Sequence, residues 1–182
     1  MGCWQEFRIT EEEMVEIAIH GLHHNAYRCR DAEETRCFYE DFLGLPLAEA
    51  FEITTTQTGR STNVLHIFFE MADGSFLAFF DAPNQPFEFK AQHDFDLHIA
   101  LKVEMAHLHA MHAKGLASGM DVRGIVDHGF IHSIYFRDPN GYVVELTTPM
   151  REDNVAQRIE TAARGRAALA DWNAAKPSNI QI

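Results

Sequence analysis

The chain repeats itself. The segment HNAYRCRDAEETRCFYEDFLGL opens at His24, and HIALKVEMAHLHAMHAKGL opens at His98. Each starts on histidine, runs through a short strand pattern, turns into a helical one and reaches a Gly-Leu pair, Gly44-Leu45 or Gly115-Leu116. A repeat on this scale constrains the fold more than any single motif, because one supersecondary unit must be used twice. Three strand-like stretches follow each helix. They are LPLAEAFEI, VLHIFFEM and SFLAFFDA in the first copy, and GMDVRGIV, IHSIYFRD and YVVELTTP in the second. The expected fold is α+β: two tandem βαβββ modules forming a curved, partly open mixed sheet around a metal cleft.

Local signals place the joints. Asp31 reads as a helix N-cap, with Glu34 three residues on completing a capping box. Gly44 and Gly115 read as glycines that end the two helices in a left-handed conformation. Asp73-Gly74 is a tight hairpin signal, and Asp138-Pro139-Asn140-Gly141 marks a second turn. The expected organisation is an N-terminal extension (1–20), a first module (21–82), a linker (83–94) containing Pro83 and Pro86, a second module (95–150), and a C-terminal helix and tail (151–182). In the extension, Thr10 and Glu13 fit the start of a short helix, and a strand fits as well. The C-terminal helix is expected over 152–172, with Val155, Ile159, Ala162 and Ala163 packing on the body.

Charge narrows the partners. The formal net charge is -12, so no basic patch is at hand to replace the counterions of nucleic acid or to meet an anionic membrane surface. No apolar run approaches membrane-spanning length. The three cysteines lack a CxxC spacing, which argues against a disulfide framework and for a cytoplasmic location. Cys29 and Cys37 read as small buried apolar residues. The N-terminus lacks a signal-peptide pattern.

The repeat supplies four matching positions. His24 and His98 open the first strand of each copy, Ala78 lies four residues after Gly74, and Glu145 lies four residues after Gly141. Two histidines and a carboxylate with a vacant position suit ferrous iron that must take up substrate and dioxygen together; the same trio holds zinc elsewhere. A lone strand histidine is weak evidence, but three donors in register agree across levels. If the last hairpin centres on Asn140, Tyr135 stands opposite Glu145 on one face. Phe76 and Phe80 flank Ala78, which favours a partly apolar pocket and an aromatic substrate. His107, His109 and His112 read as a solvated helix face, and His20, His93 and His132 as ordinary.

Val126-Asp127-His128, Ile134-Tyr135, Asp138-Pro139, Gly141 and Glu145 together resemble the signature of extradiol ring-cleavage dioxygenases, within the vicinal oxygen chelate superfamily of glyoxalases, bleomycin and fosfomycin resistance proteins and dioxygenases. The resemblance covers roughly residues 20–150. It implies one divalent metal ion on His24, His98 and Glu145, with Fe(II) first and Mn(II) or Zn(II) as alternatives. Counted back from Asp31, His24 rather than His23 matches the family spacing. The resemblance further implies a catechol-like substrate and O2, Tyr135 hydrogen-bonding the substrate oxygen, His128 handling a proton, and a homodimer. The chain resembles only the C-terminal half of the longer two-domain enzymes. Those enzymes carry a further histidine where SFLAFF has none; His66 lies one strand earlier, and simple pairing around Asp73-Gly74 turns it away from Ala78. A glyoxalase-like isomerase or lyase, and a non-catalytic drug-binding resistance protein, are the alternatives on the same scaffold.

Overall fold

The repeat does fold twice in the computed structural model, which describes residues 19–91, 93, 95–151 and 154–176. The chain divides into two compact units, one spanning Gly21–Met150 and one made of the terminal segments. Within the first unit, each copy gives a strand, a helix and three further strands. The first copy comprises β1 (Tyr27–Cys29), α1 (Ala32–Arg36), β2 (Leu47–Thr55), β3 (Ser61–Glu70) and β4 (Phe76–Asp81). The second comprises β5 (His98–Lys102), α2 (Met105–Ala117), β6 (Val122–Asp127), β7 (Ile131–Arg137) and β8 (Val143–Pro149). Their sheets are four-stranded and mixed, with the same order: β1-β4-β3-β2 and β5-β8-β7-β6. The first strand pairs in parallel with the last, and the other pairs are antiparallel.

The helices begin and end for local reasons, not all of them expected. Asp31 caps α1 by accepting the Glu34 N–H at 2.8 Å. Glu34 turns its own carboxylate to Arg30 rather than completing the capping box. After Arg36 the backbone widens into a π-helical turn, Cys37–Phe42. Gly44 then closes the segment at φ 86°, as expected. Gly115 does not end α2. It lies inside the helix, buried against the sheet, where an added Cβ would stand 2.6 Å from Phe136 Cε1. The left-handed residue is Gly119, at φ 68°. Glycine at 115 lets the helix approach the sheet closely. Cys29 is buried, but Cys37 is exposed, because it sits on the outer side of the π-helical turn.

Strand alternation decides the core. Ile67, Phe69, Leu77 and Phe79 in the first sheet, and Ile134, Phe136, Val144 and Leu146 in the second, point to the helix side and are buried. They join Phe38, Tyr39, Leu108 and Met111 in one cluster shared by both modules. Each such side chain contributes about 1.5–3 kcal/mol on leaving water. A buried polar knot ties the modules at the same joint. The Arg30 N–H donates to Asn140 Oδ1 at 2.8 Å, and Asn140 Nδ2 donates to Thr35 Oγ1 and Asp138 Oδ2. Tyr39 donates to Asp138 Oδ2 at 3.0 Å, and the N–H groups of Asn140 and Tyr142 donate to Oδ1. Burial pushes the Asp138 carboxyl up, while these donors pull it back. Gly141, at φ 95°, leaves room for the linker: a Cβ there would lie 2.6 Å from the Lys90 backbone.

In the second unit the described element is α3 (Val155–Ala175). Asn154 caps it in a full capping box with Gln157. None of its residues is buried. The readings made for Thr10 and Glu13 fall on residues 1–18, outside the described residues. Among the described residues no helix is long and apolar enough to cross a membrane.

Candidate metal and substrate site

Register fixes which residues share a face. In the second sheet, Arg123 pairs with Tyr135, Tyr135 with Glu145, and Glu145 with Ala100. Directly opposite residues project from the same face, so one row crosses the sheet: arginine, tyrosine, glutamate, alanine. His98, two residues before Ala100, projects beside Glu145. The two side chains meet, with His98 Nε2 3.3 Å from Glu145 Oε2. Tyr135 donates to Glu145 Oε1 at 3.2 Å, and His128 Nε2 lies 2.9 Å from the Tyr135 hydroxyl. Burial first, and then the Glu145 carboxylate, hold the Tyr135 phenol above its ordinary value, so at neutral pH it keeps its proton. His128 sits where β6 ends, its N–H donating to Ile131 O at 3.0 Å. Four sequence-derived residues thus stand in one connected group: His98, Glu145, Tyr135 and His128. They border a cavity of about 530 Å³ whose other walls include His93, Phe95, Arg123 and Phe130.

The first sheet repeats this register with other side chains. His24 bridges Phe76 in parallel, as His98 pairs with Val143. Phe76 lies two residues before Ala78 and Val143 two before Glu145, so the four positions correspond. Phe68 pairs with Ala78, and Glu49 with Phe68, where the second sheet has Tyr135 and Arg123. The expectation for His66 is corrected. Glu70 pairs with Phe76 and His66 with Phe80, so the hairpin centres on Asp73 rather than between Asp73 and Gly74. That shift reverses the face of each side chain relative to its partner strand. His66 therefore shares the Ala78 face, with its ring 6.4 Å from that of His24. Its own ring stacks on Phe80 at 3.8 Å and contacts Phe51 and Phe68. Burial, and then His24, hold its pKa below the ordinary histidine value.

The three expected metal donors do not converge in one chain. Among the described residues, no group of three or more His, Cys, Asp or Glu side chains is placed to hold a metal ion. His24 instead contacts His23, Nδ1 to Nδ1 at 2.8 Å, and the ring of Phe68. The reason lies in the packing. The shared core occupies the helix side of both sheets, so the His24 face and the Glu145 face both point away from it. Of the three expected donors, His98 and Glu145 are the two that converge. Reading the sequence missed Arg123, His93 and the burial of His66. The Arg123 position was hidden by a β-bulge between Arg123 and Val126.

Comparison with known proteins bears on this geometry. The family described as "Glyoxalase/Bleomycin resistance protein/Dioxygenase superfamily" matches residues 21–146. Among solved structures, a glyoxylase/bleomycin resistance protein/dioxygenase domain from Frankia sp. EAN1pec is 14% identical, with a TM-score of 0.58 over 72% of this chain and 99% of that one. A mutant of the genomically encoded fosfomycin resistance protein FosX from Listeria monocytogenes, complexed with Mn(II) and 1S,2S-dihydroxypropylphosphonic acid, is 18% identical (TM-score 0.52; 78% of this chain, 98% of that one). TnmS3, an antibiotic binding protein from Streptomyces sp. CB03234, is 19% identical (TM-score 0.53; 73% and 98%). These likenesses establish the fold. No curated protein matches the chain.

Proposed function

Because the chain belongs to the glyoxalase/bleomycin resistance protein/dioxygenase superfamily, we propose that it is a metal-dependent dioxygenase of extradiol type, acting on a catechol-like aromatic diol. The carrying observation is the connected group in which Tyr135 links Glu145 to His128 while His98 meets the same carboxylate. His98 and Glu145 would hold a divalent ion, Fe(II) by the donor set, together with His24 of a second copy of this chain. The outward-facing sheets support the second copy: the face carrying His24 and the face carrying Glu145 point away from the common core. When bound, the metal supplies chelation of the two diol oxygens and lowers their pKa.

The chain's own residues do the rest. Tyr135, protonated at neutral pH, donates a hydrogen bond to whichever oxygen occupies the position next to Glu145. His128 Nε2, in contact with that hydroxyl, is the group placed to take up or return a proton through it. On the other face, Phe51, Phe68 and Phe80 around His66 offer a flat apolar wall that excludes water and suits an aromatic ring.

One experiment tests this reading. The protein is reconstituted anaerobically with Fe(II), given a panel of catechols, and followed for oxygen uptake on admitting air. Uptake with a coloured ring-opened product, lost in His98→Ala and Glu145→Gln, is the expected result. His24→Ala and Glu145→Gln are then mixed under subunit exchange. Each is inactive alone, and the mixture regains about a quarter of the activity, since about half of its dimers are mixed and one of the two sites in each mixed dimer keeps both residues. No uptake from metal-loaded protein overturns the oxidative chemistry, and no recovery on mixing overturns the shared site. A second reading, a metal-free binding protein for aromatic drugs, is favoured by the lack of three convergent donors among the described residues. Metal analysis of the purified protein separates the two, because a binding protein has no need to retain metal.

A further inference from the structure

We infer that the joint between the first module's last hairpin and the second module's first strand is a separate binding site, for a small phenol of one ring. The inference does not depend on the metal or on the function proposed above. A cavity of about 350 Å³ lies there, walled by Leu43, Leu45, Met71, Leu101, Val103 and Leu146. Leu101 and Leu146 turn to the core side of the second sheet, opposite to the face that carries Glu145. Packing beside a core leaves few voids larger than a water molecule, so a space of this size has a cause.

The repeat supplies the cause. Turns 71–75 and 138–142 make the same backbone bonds. The Met71 N–H donates to Ser75 O at 2.8 Å and the Asp138 N–H to Tyr142 O at 2.9 Å, while the Gly74 and Gly141 N–H groups donate to Met71 O and Asp138 O. Ser75 therefore stands where the second module has Tyr142. Leu101 likewise stands where the first has Tyr27, since each lies opposite a core residue of the last strand, Leu146 or Phe79. At the first joint the Tyr142 ring is buried and packs on Tyr27, with 5.0 Å between centroids. At the second joint neither ring is present. Ser75 turns back on its own turn, its hydroxyl and N–H donating to Asp73 Oδ1 at 2.6 and 3.0 Å. The walls that remain are mostly aliphatic, and a cavity of that kind takes an aromatic ring readily. Its volume lies at the lower end of ligand sites, which sets the guest at about the size of the missing tyrosine side chain. Asp73, Lys102 and His107 border the cavity and are exposed, so the hydroxyl of a phenol emerges among polar groups while its ring lies against the leucines.

The test is a titration of the full-length protein, carrying isotope-labelled methyl groups, with p-cresol, the tyrosine side chain as a free molecule. The methyl signals of Leu43, Leu101, Val103 and Leu146 should shift together and saturate. Leu101→Phe supplies a ring from the chain itself and should weaken p-cresol binding at least about tenfold. Leu43→Phe does the same from the first module's side and takes its place if Leu101→Phe does not fold. The absence of saturable shifts in the wild-type protein overturns the inference. So do shifts confined to Ile53 and Val64, which pair on the outer face of the first sheet, and undiminished binding in the variant that folds.

Discussion

At the four register positions shared by the two sheets, the first module carries His24, Glu49, Phe68 and Ala78, and the second carries His98, Arg123, Tyr135 and Glu145. Only the histidine is common. The backbone pairing is the same, down to the parallel pairing of first and last strands. Duplication has kept the hydrogen-bonded frame, because a slip of one residue would turn the buried face outward. The side chains on the open faces were under no such constraint, and one face became an aromatic wall while the other became a hydrogen-bonded polar row. A site that unites the two gains a dry side to seat a ring and a polar side to act on it.

The comparison can be broken at its polar end first. Glu145→Gln keeps shape and removes charge; metal retention, read by elemental analysis after dialysis, should fall at least about 100-fold. Unchanged retention would show that Glu145 is no ligand and that its likeness to a metal site is accidental. Restoring the carboxylate in the other module should fail differently. Ala78 is fully buried, so Ala78→Glu should cost about 3 kcal/mol in urea unfolding, from overpacking and an unpaired buried charge. A stable variant that binds more metal would mean the first module still holds a usable fourth position.

The two helix ends sharpen the comparison at smaller scale. Gly115→Ala drives a Cβ into the Phe136 ring and should cost about 2 kcal/mol. Gly44→Ala meets open space but keeps φ at 86°, for about 1 kcal/mol. Reversal of that order in urea midpoints would mean that the sheet yields more easily than the turn. The smallest effect concerns His66. Its pKa is held below the ordinary value of 6.5, so the unfolded chain takes up the proton first as pH falls. The stability it contributes is present above pH 6.5 and is lost as pH drops towards the depressed folded value. Urea midpoints at pH 7.5 and 5.5 should diverge in the wild type and converge in His66→Phe.

Much of the frame was readable in the residues. The two modules follow from alternation and turn signals, and the face shared by Tyr135 and Glu145 follows once the last hairpin centres on Asn140, as it does. The centre of the Asp73-Gly74 hairpin, on Asp73, falls half a residue from the sequence reading, enough to move His66 to the other face. The β6 bulge is equally silent in sequence, so Arg123 gave no sign of its place beside Tyr135. Gly115 carried a true signal, a residue that must lack a side chain, but the cause was close packing rather than the end of a helix.

By itself, then, the sequence determined the elements, their duplication and the donors at matching positions, because period-two alternation and turn chemistry are local properties. Only the tertiary structure decided which faces meet. Alternation gives a strand two faces and says nothing about which neighbour covers either. The knot of Asp138, Asn140, Tyr39 and Thr35 and the core around Phe38 and Phe136 join the modules on their helix sides. That choice separates His24 from Glu145 within one chain.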